Sequence, residues 1–166
     1  MGTITQDFEE FATARSPHLF RTACMLTGDR HLAEDLVQET LGKLYQSWRR
    51  VAQVQAQAAY ANAVLVRTYL SHRRLRRNGE RPSSWLAERV APSPDTDLRL
   101  ALLDSLALLA PKDRAVLVLR YWEDWSVEET ARALDISADA VRSQSRRAVQ
   151  RLRAVLGDQI FDLAGQ

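Results

Sequence analysis

Apolar residues recur at intervals of three and four along almost the whole sequence. One such stripe begins at Leu32 and continues through Leu36, Leu44 and Trp48 to Val51. This spacing places the apolar side chains on one face of an α-helix. No stretch alternates polar and apolar residues for long enough to predict a β-strand. The sequence therefore predicts an all-α fold.

Turn-forming residues divide the helical pattern into two parts. The segments 78–84 and 91–95 are rich in Pro, Gly, Asn and Ser and lack a periodic apolar stripe. Proline fixes its own φ angle and moves the preceding residue away from helical conformation. We therefore predict two small helical domains, residues 1–77 and 98–166, joined by a flexible linker at 78–97.

Glycine, proline and capping residues predict where single helices begin and end. Gly28 can end one helix and Asp29 can cap the next, which the apolar stripe extends to Val51. The apolar residues before Gly28 predict one or two helices, with Pro17 expected in the first turn of a helix, because proline fits best where no intrahelical N–H bond is lost. A further helix is expected to start at Pro111 and to run through Tyr121.

A helix-turn-helix is predicted at residues 126–153. Ser126 and Glu129 have the spacing of a capping box, and Ser137 can cap a second helix after a short turn. That second helix, the recognition helix, would bury Val141, Ala148, Leu152 and Val155. It would enter the major groove, where Arg binds guanine or phosphate and Ser binds phosphate. The predicted DNA contacts are Arg142, Ser143, Arg146 and Arg147; the alternative is a solvated basic face on an ordinary helical hairpin.

Charge is divided unevenly along the chain, although the formal net charge is only +2. Residues 1–39 carry three basic and seven acidic side chains, whereas residues 40–81 carry nine basic and one acidic. A second basic stretch, 142–153, holds five Arg and no acid. Two basic stretches, each beside an acidic one, indicate two separate contacts with a polyanion.

The first arginine block, residues 67–81, follows a helix that carries tyrosines. Basic side chains interleaved with aromatic ones suit contact with phosphates and stacking on unpaired bases. The alternative is a solvated basic helix end. The predicted DNA contacts here are Tyr60, Asn62, Arg67, Arg73, Arg74, Arg76 and Arg77.

An acidic face, formed by Asp35, Gln38 and Glu39, lies opposite the apolar stripe. These residues stand at positions i, i+3 and i+4, and therefore on one side of the helix. The spacing alone is compatible with two interpretations, a surface that faces solvent and a surface that binds a partner.

Enzymatic chemistry finds little support in the sequence. His18, His31 and His72 are dispersed, without metal-ligand spacing, and there is no phosphate loop or nucleophile motif. A single cysteine, Cys24, excludes an intramolecular disulfide framework and is typical of a reduced compartment. We expect no cofactor, no metal, no membrane insertion and a cytoplasmic location, because no signal peptide or membrane-length apolar stretch is recognisable.

Three motifs in order resemble the RNA polymerase sigma factors of the extracytoplasmic-function group. The residues 35–40 (DLVQET) resemble the polymerase-clamp-binding motif of sigma region two, and 60–77 (YANAVLVRTYLSHRRLRR) resemble its helix for the minus-ten promoter element. The residues 108–121 and the helix-turn-helix together resemble sigma region four. The match covers about residues 5–77 and 98–156. The sequence is similar in particular to the SigE-like group of actinobacteria.

This resemblance implies a role for each candidate surface. The acidic face would bind the clamp helices of the polymerase β′ subunit. The first arginine block and the loop at 51–58 would recognise and melt the minus-ten element, and the recognition helix would bind the minus-thirty-five element. Core RNA polymerase, through its β and β′ subunits, and promoter DNA are the implied partners, with an anti-sigma factor as a further candidate.

Two departures from the family pattern limit what the resemblance transfers. Arg67 stands where many members have the Asn that helps to hold a flipped base, so that role does not pass to Arg67. Asp139 and Ala140 stand where many members have Gly and Thr, which predicts a different minus-thirty-five preference. The main alternative is a stand-alone helix-turn-helix regulator; a decoy that binds only an anti-sigma factor and a DNA-processing enzyme explain fewer of these features.

Overall fold

The computed structural model describes residues 3–76 and 94–157, with side chains described for 3–73 and 100–157. Within these residues the chain forms helices and no strand, which confirms the predicted all-α fold. No helix in this part of the chain is long and apolar enough to cross a membrane. The helices are α1 (Ile4–Thr27), α2 (Arg30–Gln46), α3 (Trp48–Val51), α4 (Gln57–Arg76), α5 (Pro94–Ala107), α6 (Pro111–Leu117), α7 (Val127–Leu134) and α8 (Ala138–Leu156), with a π turn at Val118–Trp122 between α6 and α7.

The chain separates into two compact units, with the division between residues 80 and 81. The first unit contains α1 to α4 and the second contains α5 to α8. The predicted linker at 78–97 lies outside the described residues up to position 93. Helix α5 begins at Pro94, within the last four residues of that predicted segment.

Helix α1 runs without a break through Pro17, so the expected helix start at that residue is wrong. A proline inside a helix costs about 3 kcal/mol, because one N–H bond is lost and the ring crowds the preceding turn. Leu19 and Leu26, further along the same helix, are completely buried. Burying two leucines contributes roughly 1.5–3 kcal/mol each, which is enough to offset the cost of Pro17.

The boundary between α1 and α2 follows the predicted signals. Gly28 has a φ of 69°, and its N–H donates to the carbonyl of Cys24 at 2.8 Å. The Asp29 carboxylate then accepts the N–H of Leu32 at 3.0 Å and caps α2. Glycine is the residue best suited to this left-handed position, and aspartate is among the best N-caps.

The single helix expected up to Val51 is interrupted at Ser47, where α2 ends and α3 begins. Trp48 and Val51 nevertheless remain buried, at 4% and 0% exposure. The Ser47 carbonyl accepts the N–H groups of Arg50 and Val51, both at 3.0 Å, and so restarts the helical pattern. The break preserves the buried side, which explains why the apolar stripe does not reveal it.

The helix expected from Pro111 to Tyr121 ends as an α-helix at Leu117 and continues as the π turn. The N–H of Glu123 donates to the carbonyl of Val118, five residues earlier, at 3.0 Å. This wider turn changes which side chains face inward. Tyr121 and Trp122 are 63% and 42% exposed, so neither side chain lies in the core.

Candidate nucleic-acid and polymerase interfaces

The predicted helix-turn-helix is formed by α7, a short turn and α8. The Glu129 N–H donates to the Ser126 hydroxyl at 3.0 Å, and the Ser126 N–H donates to the Glu129 carboxylate at 2.8 Å. The Ser137 hydroxyl accepts the Ala140 N–H at 3.0 Å and caps α8. Between the helices, a small apolar core forms from Val116, Val127, Ala131, Leu134, Ile136 and Val141. Each predicted cap is therefore present.

The capping box makes the stability of α7 depend on pH. Hydrogen bonds from the Ser126 backbone and then from its hydroxyl hold the pKa of Glu129 below its ordinary value. A carboxylate with a lowered folded-state pKa stabilises the fold above its unfolded pKa and loses that contribution as the pH falls through the folded value.

We expect the Glu129→Gln variant to lose this pH dependence, because glutamine can occupy a capping box but does not titrate. Thermal unfolding of the whole chain between pH 7 and pH 3.5 measures it. The parent should lose stability relative to the variant as the pH falls below about 4.5. Asp124→Asn, at an exposed residue outside the capping box, is the control. Parallel curves for the parent and Glu129→Gln would contradict the prediction.

The recognition helix, α8, buries Val141, Ala148 and Leu152 on one side. Val155, which was expected inside, is 55% exposed, because the inward packing ends at Leu152, one turn before the helix ends. The four predicted contacts of this helix all lie on its exposed side, in the first three turns: Arg142, Ser143, Arg146 and Arg147.

Two of these arginines are held by acidic side chains. Arg142 pairs with Asp139 at 3.0 Å and with Glu128 of α7 at 3.6 Å. Arg147 pairs at 3.4 Å with Asp113 of α6, whose side chain is only 8% exposed. Among the described residues, Arg146 has no such acidic partner within 4 Å. The spacing of Asp139 and Arg142 could have indicated the first contact, but nothing local predicts Asp113 and Arg147, 34 residues apart.

The acidic face of α2 is exposed, as the sequence predicts, while Leu36, Thr40 and Leu44 are buried beneath it. Asp35 and Gln38 point away from this packing. Glu39, by contrast, takes part in a network with α4, which the sequence did not reveal.

That network joins the acidic face to α4 through three side chains. The Glu39 carboxylate pairs with Lys43 at 3.7 Å and is in contact with the imidazole of His72. Lys43 in turn donates to the hydroxyl of Thr68 at 3.1 Å. The helix that carries the acidic face is therefore tied to α4, at residues that lie within the first arginine block.

The predicted contacts of the first arginine block occupy different environments. Arg67 is exposed, and Tyr60 and Arg73 are half-buried. Asn62 is only 3% exposed, so a contact between this side chain and DNA would need a rearrangement of the helices. Tyr69 is buried to the same extent. The side chains of Arg74 and Arg76, and all of Arg77, lie outside the described residues.

Family models match both units of the chain. The model for sigma-70 region 2 matches residues 11–79, and the model for sigma-70 region 4 matches residues 105–154. The RNA polymerase sigma-E factor of Streptomyces coelicolor is 39% identical over 160 residues, which cover 94% of this chain and 89% of that protein. The ECF RNA polymerase sigma factor SigL of Mycobacterium tuberculosis is 33% identical over 145 residues, which cover 83% of this chain and 82% of that one.

A solved structure also shares the fold. The sigma factor RpoE of Bartonella quintana, in complex with the anti-sigma factor NepR, superposes with a TM-score of 0.74 at 23% identity. The match covers 92% of this chain and 98% of that one. At this identity the likeness concerns the fold alone.

The chain belongs to the sigma-70 family of RNA polymerase sigma factors. Within the family it is an extracytoplasmic-function sigma factor, an alternative sigma factor that directs RNA polymerase to specific promoters. The resemblance read from its three motifs is thereby confirmed.

Proposed function

We propose that three surfaces divide the work of promoter-specific initiation. The acidic face binds the clamp helices of the β′ subunit, the first arginine block binds and opens the minus-ten element, and the recognition helix binds the minus-thirty-five element. The observation that carries this proposal is the capped helix-turn-helix, in which one side of α8 is buried and the other presents four predicted contacts. The chain would perform no reaction of its own and would act in the cytoplasm, where its polymerase is.

Tethering explains why each contact alone can be weak. Two DNA-binding units held on one polymerase act on a promoter at high effective concentration, so their combined affinity exceeds that of either unit. A stand-alone regulator would need neither the acidic face nor the first arginine block. The domain bounds we propose, 1–77 and 98–166, give one DNA-binding surface to each unit.

The solved relative suggests a regulator as a further partner. RpoE of Bartonella quintana was crystallised with an anti-sigma factor. We propose that this chain is also held by an anti-sigma factor, because a protein that covers a sigma factor prevents its use of core polymerase. Its identity is a separate question from promoter recognition.

The recognition helix gives the direct test of the proposed minus-thirty-five contact. Arg142→Ala and Arg146→Ala should each weaken promoter binding by the holoenzyme. Removing a side chain that reads a base should cost about 1–3 kcal/mol of discrimination between promoters. Removing one that holds a phosphate should weaken binding to all promoters evenly. Equilibrium binding to promoters with each upstream base pair replaced in turn distinguishes these results.

Arg21→Ala is the matched control, because Arg21 is an exposed arginine on α1 in the other unit. Its promoter binding should equal that of the parent. If both recognition-helix variants bind and discriminate like the parent, α8 does not face the minus-thirty-five element.

A further inference from the structure

Arg142 is held from two directions, by one carboxylate of its own helix and one of the preceding helix. Asp139 lies one turn earlier on α8, with its carboxylate 3.0 Å from the Nη1 atom of Arg142. Glu128 belongs to α7, and its carboxylate lies 3.6 Å from Nη2. The two helices pack through Ala131 and Val141, which fixes the backbone positions of the two acids relative to Arg142, while the side chains of Glu128 and Asp139 are 65% and 96% exposed.

These contacts occupy only part of the hydrogen-bonding capacity of Arg142. A guanidinium has five N–H donors, and each terminal nitrogen carries two of them. The side chain of Arg142 is 50% exposed, so donors remain available to an external acceptor. The two acids therefore lie beside the guanidinium without blocking it.

The local charge distinguishes a base from a phosphate as that acceptor. Two carboxylates and one guanidinium sum to −1, so a phosphate placed at Arg142 would add a third anion to one cation. The edge of guanine carries no net charge and offers two acceptors, O6 and N7, that an arginine can bind together. A guanidinium with this neighbourhood is better matched to guanine than to the DNA backbone.

Arg146, one turn further along α8, offers the opposite environment. It is exposed, and among the residues whose side chains the structure describes, 3–73 and 100–157, no carboxylate lies within 4 Å of it. No carboxylate in the described part of the chain offsets its charge, which suits a phosphate. The same helix thus presents two arginines that the fold prepares for different acceptors.

We propose that Glu128 and Asp139 are positioning residues that make Arg142 a reader of guanine in the minus-thirty-five element. By offsetting its charge and restricting its direction, they set the sequence preference at one base pair. The proposal rests on the proposed contact between α8 and that element. It also assigns a function to Asp139, which departs from the pattern of many family members.

The test uses holoenzyme with the double variant Glu128→Gln/Asp139→Asn. Binding is measured on promoters with each minus-thirty-five base pair replaced, at several salt concentrations. The parent should discriminate about 5- to 150-fold at one guanine-containing base pair, and Arg142→Ala should lose that preference. The preference of the double variant for that base pair should also be at least about fivefold weaker than the preference of the parent. Its binding should become more salt-dependent, with a slope steeper by about 0.9, because the freed Arg142 now neutralises a phosphate.

Asp135→Asn is the matched control, since it removes one exposed acid from the turn between the two helices. Its φ is 54°, a left-handed conformation that asparagine also adopts readily. This variant should keep the preference and salt slope of the parent. Glu128→Gln alone, which leaves the α8 cap region unchanged, should show a smaller loss of preference. It provides the decisive comparison if the double variant melts at a lower temperature.

Two results would overturn the inference, and they are distinguishable. If the Glu128 and Asp139 variants keep the parent's preference and salt slope while Arg142→Ala loses the preference, the acids do not position Arg142, and the minus-thirty-five contact stands. If the parent itself shows no preference at any upstream base pair, the proposed contact of α8 fails together with the inference.

Discussion

Reversing the charge of the acidic face, with Asp35→Lys and Glu39→Lys together, is expected to abolish association with core RNA polymerase. Placing two like charges against a basic partner costs several kcal/mol, so the affinity should fall at least about 100-fold. Helicity should change little, because both side chains are exposed and the buried side of α2 is untouched. Co-purification with core polymerase and circular dichroism of the free protein measure the two results.

The structure indicates how to separate binding from folding in this test. Glu39 contacts Lys43 and His72, so its reversal also disturbs the junction between α2 and α4. Asp35→Lys alone avoids that junction and should still weaken binding strongly. Glu10→Lys, which reverses an exposed charge on α1, is the control and should bind like the parent. Unchanged co-purification of the double variant would show that the acidic face is only solvated surface.

Replacing Arg73, Arg74, Arg76 and Arg77 with Gln should severely impair transcription from duplex promoters. Six arginines between positions 67 and 81 exceed what one groove contact needs, and a strand that has been opened offers a continuous row of phosphates. A template whose minus-ten region is mismatched and already open should recover much of the activity. The affinity for core polymerase should change little, because the variant leaves Asp35 and Gln38 unchanged.

The comparison of the two templates decides the role of the block. Arg146→Gln serves as the control, because a defect in the upstream contact should not be relieved by opening the minus-ten region. If the four-arginine variant is equally defective on duplex and pre-opened templates, the block anchors duplex DNA and does not assist melting.

Local chemistry accounts for what the sequence predicts correctly. Gly28, Asp29, Ser126 and Ser137 each act within three or four residues of their own position, so their roles are readable without a structure. The exposed acidic face follows equally from helical spacing. The three errors in helix boundaries, at Pro17, Ser47 and the π turn, arise where tertiary packing outweighs or bypasses the local signal.

Contacts between distant residues account for what the sequence does not predict at the site. Asp113 and Arg147 are 34 residues apart, and Glu39 meets His72 across the packing of α2 on α4. The sequence also does not predict the burial of Asn62. Its helix carries polar and apolar residues on several sides, so the pattern does not show which side packs inward. The sequence identifies which arginines are outward, but only the structure shows the acidic partners that Arg142 and Arg147 find on other helices.

This chain gives core RNA polymerase its choice of promoter. In vitro transcription with core polymerase and genomic fragments, followed by mapping of start sites, measures that choice. We expect start sites that depend on the added protein and share two aligned upstream elements, the nearer of which is opened. Identical transcripts with and without the protein, together with sequence-specific DNA binding in the absence of polymerase, would show instead a stand-alone DNA-binding regulator.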